Sequence, residues 1–66
     1  MNKPATLKKL KARLAAVVPE FEDDEGAFEH QAEIQSVIDV IEAGAADKDI
    51  LHAAGWVGLV SDMVLS

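Results

Sequence analysis

The first two thirds of the chain carry apolar residues at intervals of three and four, the spacing that lines one face of a helix. Pro19 ends the first such repeat, because proline has no N–H donor and keeps the residue before it out of the helical region. Gly44 is a natural stop for the second repeat. The pattern therefore predicts amphipathic helices near residues 4–18 and 24–43. Their predicted inner faces comprise Leu7, Leu10, Leu14, Val17 and Val18 in the first helix and Ala27, His30, Ile34, Val37, Ile38 and Ile41 in the second.

The remaining segment begins at Asp47, a good N-cap residue, and is apolar nearly all the way round a helical projection. We predict a third helix near residues 47–64, in which Gly55 and Gly58 would let another helix approach closely. A second interpretation breaks this helix at Gly55 and makes residues 56–65 a strand, since valine and tryptophan favour strands. The helical interpretation is favoured, so the predicted fold is all-α, one small three-helix domain that spans the 66 residues.

The size of the chain bears on how that third segment is covered. With 66 residues and no cysteine, the chain builds only a small core and has no disulfide to reinforce it. Apolar residues make up 50% of the sequence, too many for a disordered chain. Two short helices cannot cover a helix that is apolar all round, so we predict a homodimeric helical bundle. The predicted self-association residues are Ile50, Leu51, Gly55, Trp56, Leu59 and Met63.

Charge divides the chain into two unlike parts. Residues 1–18 hold five basic residues and no acid, whereas residues 19–66 hold all twelve acids and only Lys48 as a base, for a net charge of −6. A basic segment beside an acidic remainder can fold onto it or pair with another molecule. The acids around the second helix predict a surface that binds a protein target with a basic patch, although they also suit a solvated loop that favours the next helix N-terminus. That surface comprises Glu20, Glu22, Asp23, Asp24, Glu25, Glu29 and Glu33.

Residues that could carry chemistry occur only in pairs. His30 and Glu33 lie one helical turn apart and could bind a metal if a two-fold axis doubled the ligands, but the Glu-x-x-His sets of di-metal bundles are missing. His52 and Asp49 could exchange a proton, but no cysteine and no serine nucleophile motif accompanies them. We therefore predict no enzymatic activity, no catalytic residue, no metal site and no cofactor.

Nucleic acid and membranes are the other partner classes. The lysines of the first helix project at scattered angles, and the third segment offers only Lys48 to read bases, so nucleic acid is a disfavoured partner. The longest apolar runs, residues 14–18 and 53–60, are far shorter than the ~20 residues of a membrane span. The sequence predicts a cytoplasmic protein without a membrane partner.

These observations favour a small non-enzymatic interaction module, a regulator or inhibitor that binds a protein target through its acidic surface and self-associates through its C-terminal segment. A variant of this hypothesis is a nucleic-acid mimic whose carboxylates occupy a site made for phosphates. The alternatives are direct nucleic-acid binding by the basic N-terminal helix and a ligand- or metal-binding dimer built around His30 and Glu33.

Overall fold

Three α-helices and one short 3-10 turn make up the chain, and the computed structural model describes all 66 residues. Helix α1 spans Lys3–Ala16, α2 spans Glu25–Glu42 and α3 spans Asp47–Trp56, followed by the 3-10 turn Val60–Asp62. The all-α three-helix prediction is confirmed, and the strand interpretation of the last segment is wrong because no strand is present. None of the helices combines the length and the apolar character needed to cross a bilayer.

Side-chain caps begin the first two helices. Asn2 Oδ1 accepts a hydrogen bond from the backbone N–H of Ala5 at 3.1 Å, and Pro4 occupies the first turn of α1, where its missing N–H has no intrahelical partner to lose. Asp24 Oδ1 accepts a hydrogen bond from the backbone N–H of Ala27 at 3.3 Å at the start of α2. Both caps satisfy donors that the helix itself cannot pair.

The third helix is shorter than the sequence predicts. It ends at Trp56, so the prediction that it continues to residue 64 is wrong. Gly58 adopts a positive φ of 74°, and the N–H of Leu59 donates back to the last turn of α3 at 2.8 Å. Gly44 ends α2 in the same way with a φ of 83°. Gly58 is therefore a helix stop rather than a small residue on a helix face.

The core lies along one face of α2 and is covered by α1, α3 and the residues that follow α3. The nine buried apolar residues are Leu10 of α1, Ile34, Val37, Ile38 and Ile41 of α2, Ile50 and Ala54 of α3, and Leu59 and Met63 of the C-terminal segment. Leu7, Leu14 and Val17 pack against this cluster as predicted. Val18 does not, because the chain is already extended at Val17, and its side chain is 74% exposed.

Residues after α3 fold back over α1 and close the core. The buried carboxylate of Asp62 lies 3.1 Å from Arg13 Nε, a charge pair across the closure. Val64 is held by two backbone contacts: its N–H donates to Thr6 Oγ1 at 3.0 Å and its carbonyl accepts from Asn2 N at 2.8 Å. The C-terminal segment thus covers apolar surface that the sequence assigned to a second copy.

The basic first helix packs on its own chain. Lys3 Nζ donates to the carbonyl of Ala45 at 3.0 Å, and Lys9 Nζ donates to the carbonyl of Ser61 at 3.4 Å. Together with Arg13, three of the five basic residues of this segment are engaged within the molecule. The sequence left open whether this helix pairs with another molecule. Only Lys8 and Lys11 have no hydrogen bond or ion pair within the chain and remain available for such a contact.

Thr6 provides a test of the closure. Its hydroxyl is fully buried, donates to the carbonyl of Asn2 at 2.9 Å and accepts from the N–H of Val64. In Thr6→Val the N–H of Val64 loses its partner, so we expect a loss of about 2 kcal/mol in the free energy of unfolding, measured by urea denaturation. Thr6→Ser keeps the hydroxyl, so we expect the Val64 amide to be as protected from hydrogen exchange as in the wild type. A Thr6→Val protein as stable as the wild type would contradict this account of the closure.

Gly58 tests the end of α3. A side chain at this position meets no atom within 4 Å, so only the backbone conformation opposes it. We expect Gly58→Ala to lower the melting temperature, by an amount corresponding to about 1 kcal/mol, because alanine disfavours a positive φ. The matched control is Gly26→Ala in the first turn of α2, where φ is negative and the same change should be neutral or stabilising. Equal effects of the two changes would show that α3 does not end through the glycine conformation.

Candidate interaction surfaces

One end of the bundle presents apolar side chains among carboxylates. The connection from α1 to α2 and the first turns of α2 leave Val18, Phe21 and Phe28 exposed by 74%, 69% and 47%. The exposed acids of the same region surround them in the sequence. We call this region the acidic-aromatic surface; it comprises Val18, Phe21 and Phe28 together with Glu20, Glu22, Asp23, Glu25 and Glu29.

The charges of this surface are not compensated within the molecule. None of its five carboxylates takes part in an ion pair of the folded chain. No lysine or arginine occurs between Arg13 and Lys48 in the sequence. The acids therefore remain available to a cationic partner.

Asp24 differs from its acidic neighbours. Its Oδ1 accepts the hydrogen bond that caps α2, and its Oδ2 accepts a second hydrogen bond from the backbone N–H of Glu20 at 3.2 Å. Both carboxylate oxygens are thus used to build the loop. Asp24 belongs to the predicted partner-binding surface, and in the structure its carboxylate holds the backbone of the loop that carries the neighbouring acids.

A second side chain fixes the other end of the loop. Gln31 Nε2 donates to the carbonyl of Val17 at 2.8 Å and so ties the end of α1 to α2. Within the loop, the N–H of Asp24 donates to the carbonyl of Phe21 at 3.2 Å. The segment that carries Val18 and Phe21 is therefore held by hydrogen bonds at both ends and in its turn. A surface fixed in advance loses less conformational entropy on binding.

The sequence pattern did not indicate a role for the aromatic residues of this surface. Val18 was assigned to an apolar helix face, and the two phenylalanines were assigned no role. A signal was present for both: Phe21 lies between two acids after Pro19, outside any helical repeat, and Phe28 lies about 130° from the centre of the buried face of α2 at 100° per residue.

His30 and Glu33 lie beside each other on α2. The His30 Nδ1 atom is 3.8 Å from Glu33 Oε1, and both side chains are half-buried. No group of three or more His, Cys, Asp or Glu side chains is arranged to share a metal ion. Glu33 thus lies near the histidine of its own helix, whereas no lysine, arginine or histidine nitrogen lies within 4.0 Å of a carboxylate of the acidic-aromatic surface.

A second exposed surface surrounds Trp56 at the end of α3. Its side chain is 78% exposed, and its Nε1–H donates to His52 Nε2 at 2.9 Å. The two rings meet edge to face, with centroids 6.2 Å apart. Leu51, His52, Gly55 and Trp56 line an open depression of about 510 Å³. His52 therefore contacts Trp56, and no ion pair joins it to Asp49, with which the sequence would allow it to exchange a proton.

The predicted self-association residues divide between this surface and the core. Ile50, Leu59 and Met63 are 0%, 1% and 7% exposed and belong to the chain's own core, which leaves little of their surface for a contact with a second copy. They are buried because the C-terminal segment returns to α1 instead of continuing α3. Leu51, Gly55 and Trp56 remain at the surface.

Comparison of this chain with protein-family models, with curated proteins and with solved structures finds no significant match.

Proposed function

We propose that this protein is a small non-enzymatic interaction module, a cytoplasmic regulator or inhibitor that binds a basic patch of a protein target through the acidic-aromatic surface. The observation that carries the proposal is the exposure of Phe21, at 69%, on a loop fixed by hydrogen bonds and flanked by unpaired carboxylates. Exposed aromatic residues are costly to leave in water unless a partner covers them.

The two kinds of residue on this surface contribute differently to binding. Aromatic side chains supply most of the affinity at protein interfaces, because they bury a large area with few rotatable bonds. Carboxylates around them select a cationic partner and accelerate association, since opposite charges attract before contact. Five free carboxylates and two exposed phenylalanines within one loop and two helical turns provide both contributions.

Self-association is the second part of the proposal, now centred on Trp56 instead of the whole C-terminal segment. The support is the 78% exposure of Trp56 beside an open depression on the same surface. In a two-fold dimer the same patch faces itself, so a protruding side chain next to a depression can fit its own copy. The residues around Trp56 that line the depression carry no acid, so two chains of net charge −6 meet there with little local repulsion.

The acidic part of the proposal is tested by affinity capture from lysate with quantitative mass spectrometry. Three carboxylates of the acidic-aromatic surface are neutralised and compared with three exposed acids elsewhere, which changes the net charge equally. The test variant is Glu22→Gln, Glu25→Gln and Glu29→Gln, and the control variant is Asp39→Asn, Glu42→Gln and Asp49→Asn. We expect the test variant to lose the captured partner by about tenfold and the control variant to retain it.

Two other results of that capture would count against the proposal. Equal partner recovery by the two variants would remove the acidic-aromatic surface from the mechanism. Recovery of nucleic acid that depends on Lys8 and Lys11, the exposed lysines of α1 without a contact in the chain, would support direct nucleic-acid binding instead.

Self-association is tested by sedimentation equilibrium at micromolar concentration. We expect a monomer–dimer equilibrium whose dissociation constant rises at least about tenfold in Trp56→Ala, because a buried tryptophan dominates a small interface. Phe21→Ala is the control, since it removes an exposed aromatic residue from the other surface. A wild-type protein that is monomeric at every concentration would contradict the self-association proposal and leave the acidic-aromatic surface untouched.

A further inference from the structure

We infer that the element recognised by the acidic-aromatic surface is a cationic amphipathic helix of the target, with lysine or arginine one turn apart beside an exposed apolar side chain. This inference rests on the proposed function and specifies the chemistry of the partner. It distinguishes two kinds of basic partner: a uniformly cationic surface would contact only the carboxylates, whereas an amphipathic one would also bury the exposed apolar side chains.

The apolar residues argue against a partner that offers charge alone. Val18 and Phe21 are exposed on the loop that Asp24 and Gln31 fix, and Phe28 is exposed on α2. A purely cationic chain would leave all three in contact with water. A partner that also carries an apolar side chain buries them and gains the hydrophobic contribution.

The spacing of the carboxylates favours a helix as that partner. Glu25 and Glu29 lie one turn apart on the exposed side of α2, with Phe28 beside them. Side chains one turn apart on a helix have Cβ atoms about 6 Å apart, so cations at the same interval on a partner helix can meet both acids. Glu22 and Asp23 on the loop extend the negative charge beyond the end of α2.

A second copy of this chain does not supply such a helix. Its only cationic helix is α1, whose apolar residues Leu7, Leu10 and Leu14 pack into its own core. The exposed part of α1 offers lysines without an accompanying large apolar side chain. The complementary helix therefore belongs to a different protein.

The test uses two labelled probe peptides of equal positive charge and measures their binding by fluorescence anisotropy at low and moderate salt. One is a helical peptide of leucine and lysine with all leucines on one face, and the other is an oligolysine. We expect the amphipathic peptide to bind at least about tenfold more tightly than oligolysine, and this advantage to disappear in Phe21→Ala/Phe28→Ala. Trp56→Ala, on the other surface, should leave both affinities unchanged.

Charge and apolar contact are separated by the remaining variants. The Glu22→Gln, Glu25→Gln and Glu29→Gln protein should bind both peptides more weakly and with less dependence on salt. Thermal unfolding of each variant checks that it is folded, and we expect melting temperatures close to that of the wild type because the substituted side chains are exposed.

The outcomes distinguish this inference from the function on which it rests. Equal affinity for the two peptides, or insensitivity to Phe21→Ala/Phe28→Ala, would overturn the amphipathic partner. If the acid-dependent capture from lysate still held, the proposed function would stand with a purely cationic target. If neither peptide bound and the capture showed no dependence on the acids, both would fall.

Discussion

The return of the C-terminal segment onto α1 decides which parts of this small protein are buried and which are left open. Leu59 and Met63 fill the gap between α1 and α3, and the contacts of Val64 with Asn2 and Thr6 hold them there. A chain of 66 residues has little apolar area with which to offset the entropy of folding, so a segment that adds two core residues is a substantial part of its stability. Because this segment closes the core, Trp56 is left outside it, 78% exposed at the end of α3.

The parts of the fold that local chemistry determines could be predicted from the sequence. Helical periodicity identified α1, α2 and all four buried residues of α2, and Gly44 indicated where α2 ends. The end of α3 could not be assigned, because Gly55 and Gly58 have equal propensities and only the second adopts a positive φ. Which glycine ends the helix depends on how the residues after it pack on α1, a contact between distant parts of the chain.

The same limit applies to the candidate surfaces. The acids were identified as exposed from their type, but the sequence does not show that both carboxylate oxygens of Asp24 accept hydrogen bonds from the backbone of the loop and of α2. The apolar residues of the acidic-aromatic surface were harder still, since phenylalanine in a small protein usually belongs to the core. The same holds for charge. Three of the five basic residues in residues 1–18 contact other parts of the chain, whereas the carboxylates of the acidic-aromatic surface form no ion pair. The sequence shows only that the two segments have opposite net charge.

The carboxylate of Asp24 has two structural roles: one oxygen caps the start of α2, and the other accepts a hydrogen bond that fixes the preceding loop. A substitution there would weaken the helix and release the loop together, so a scan of the acids would rank Asp24 among the most damaging positions for binding even though it need not touch a partner. The loss of affinity in such a variant would then come from the changed conformation of the loop, although it would look like the loss of a direct contact with a partner.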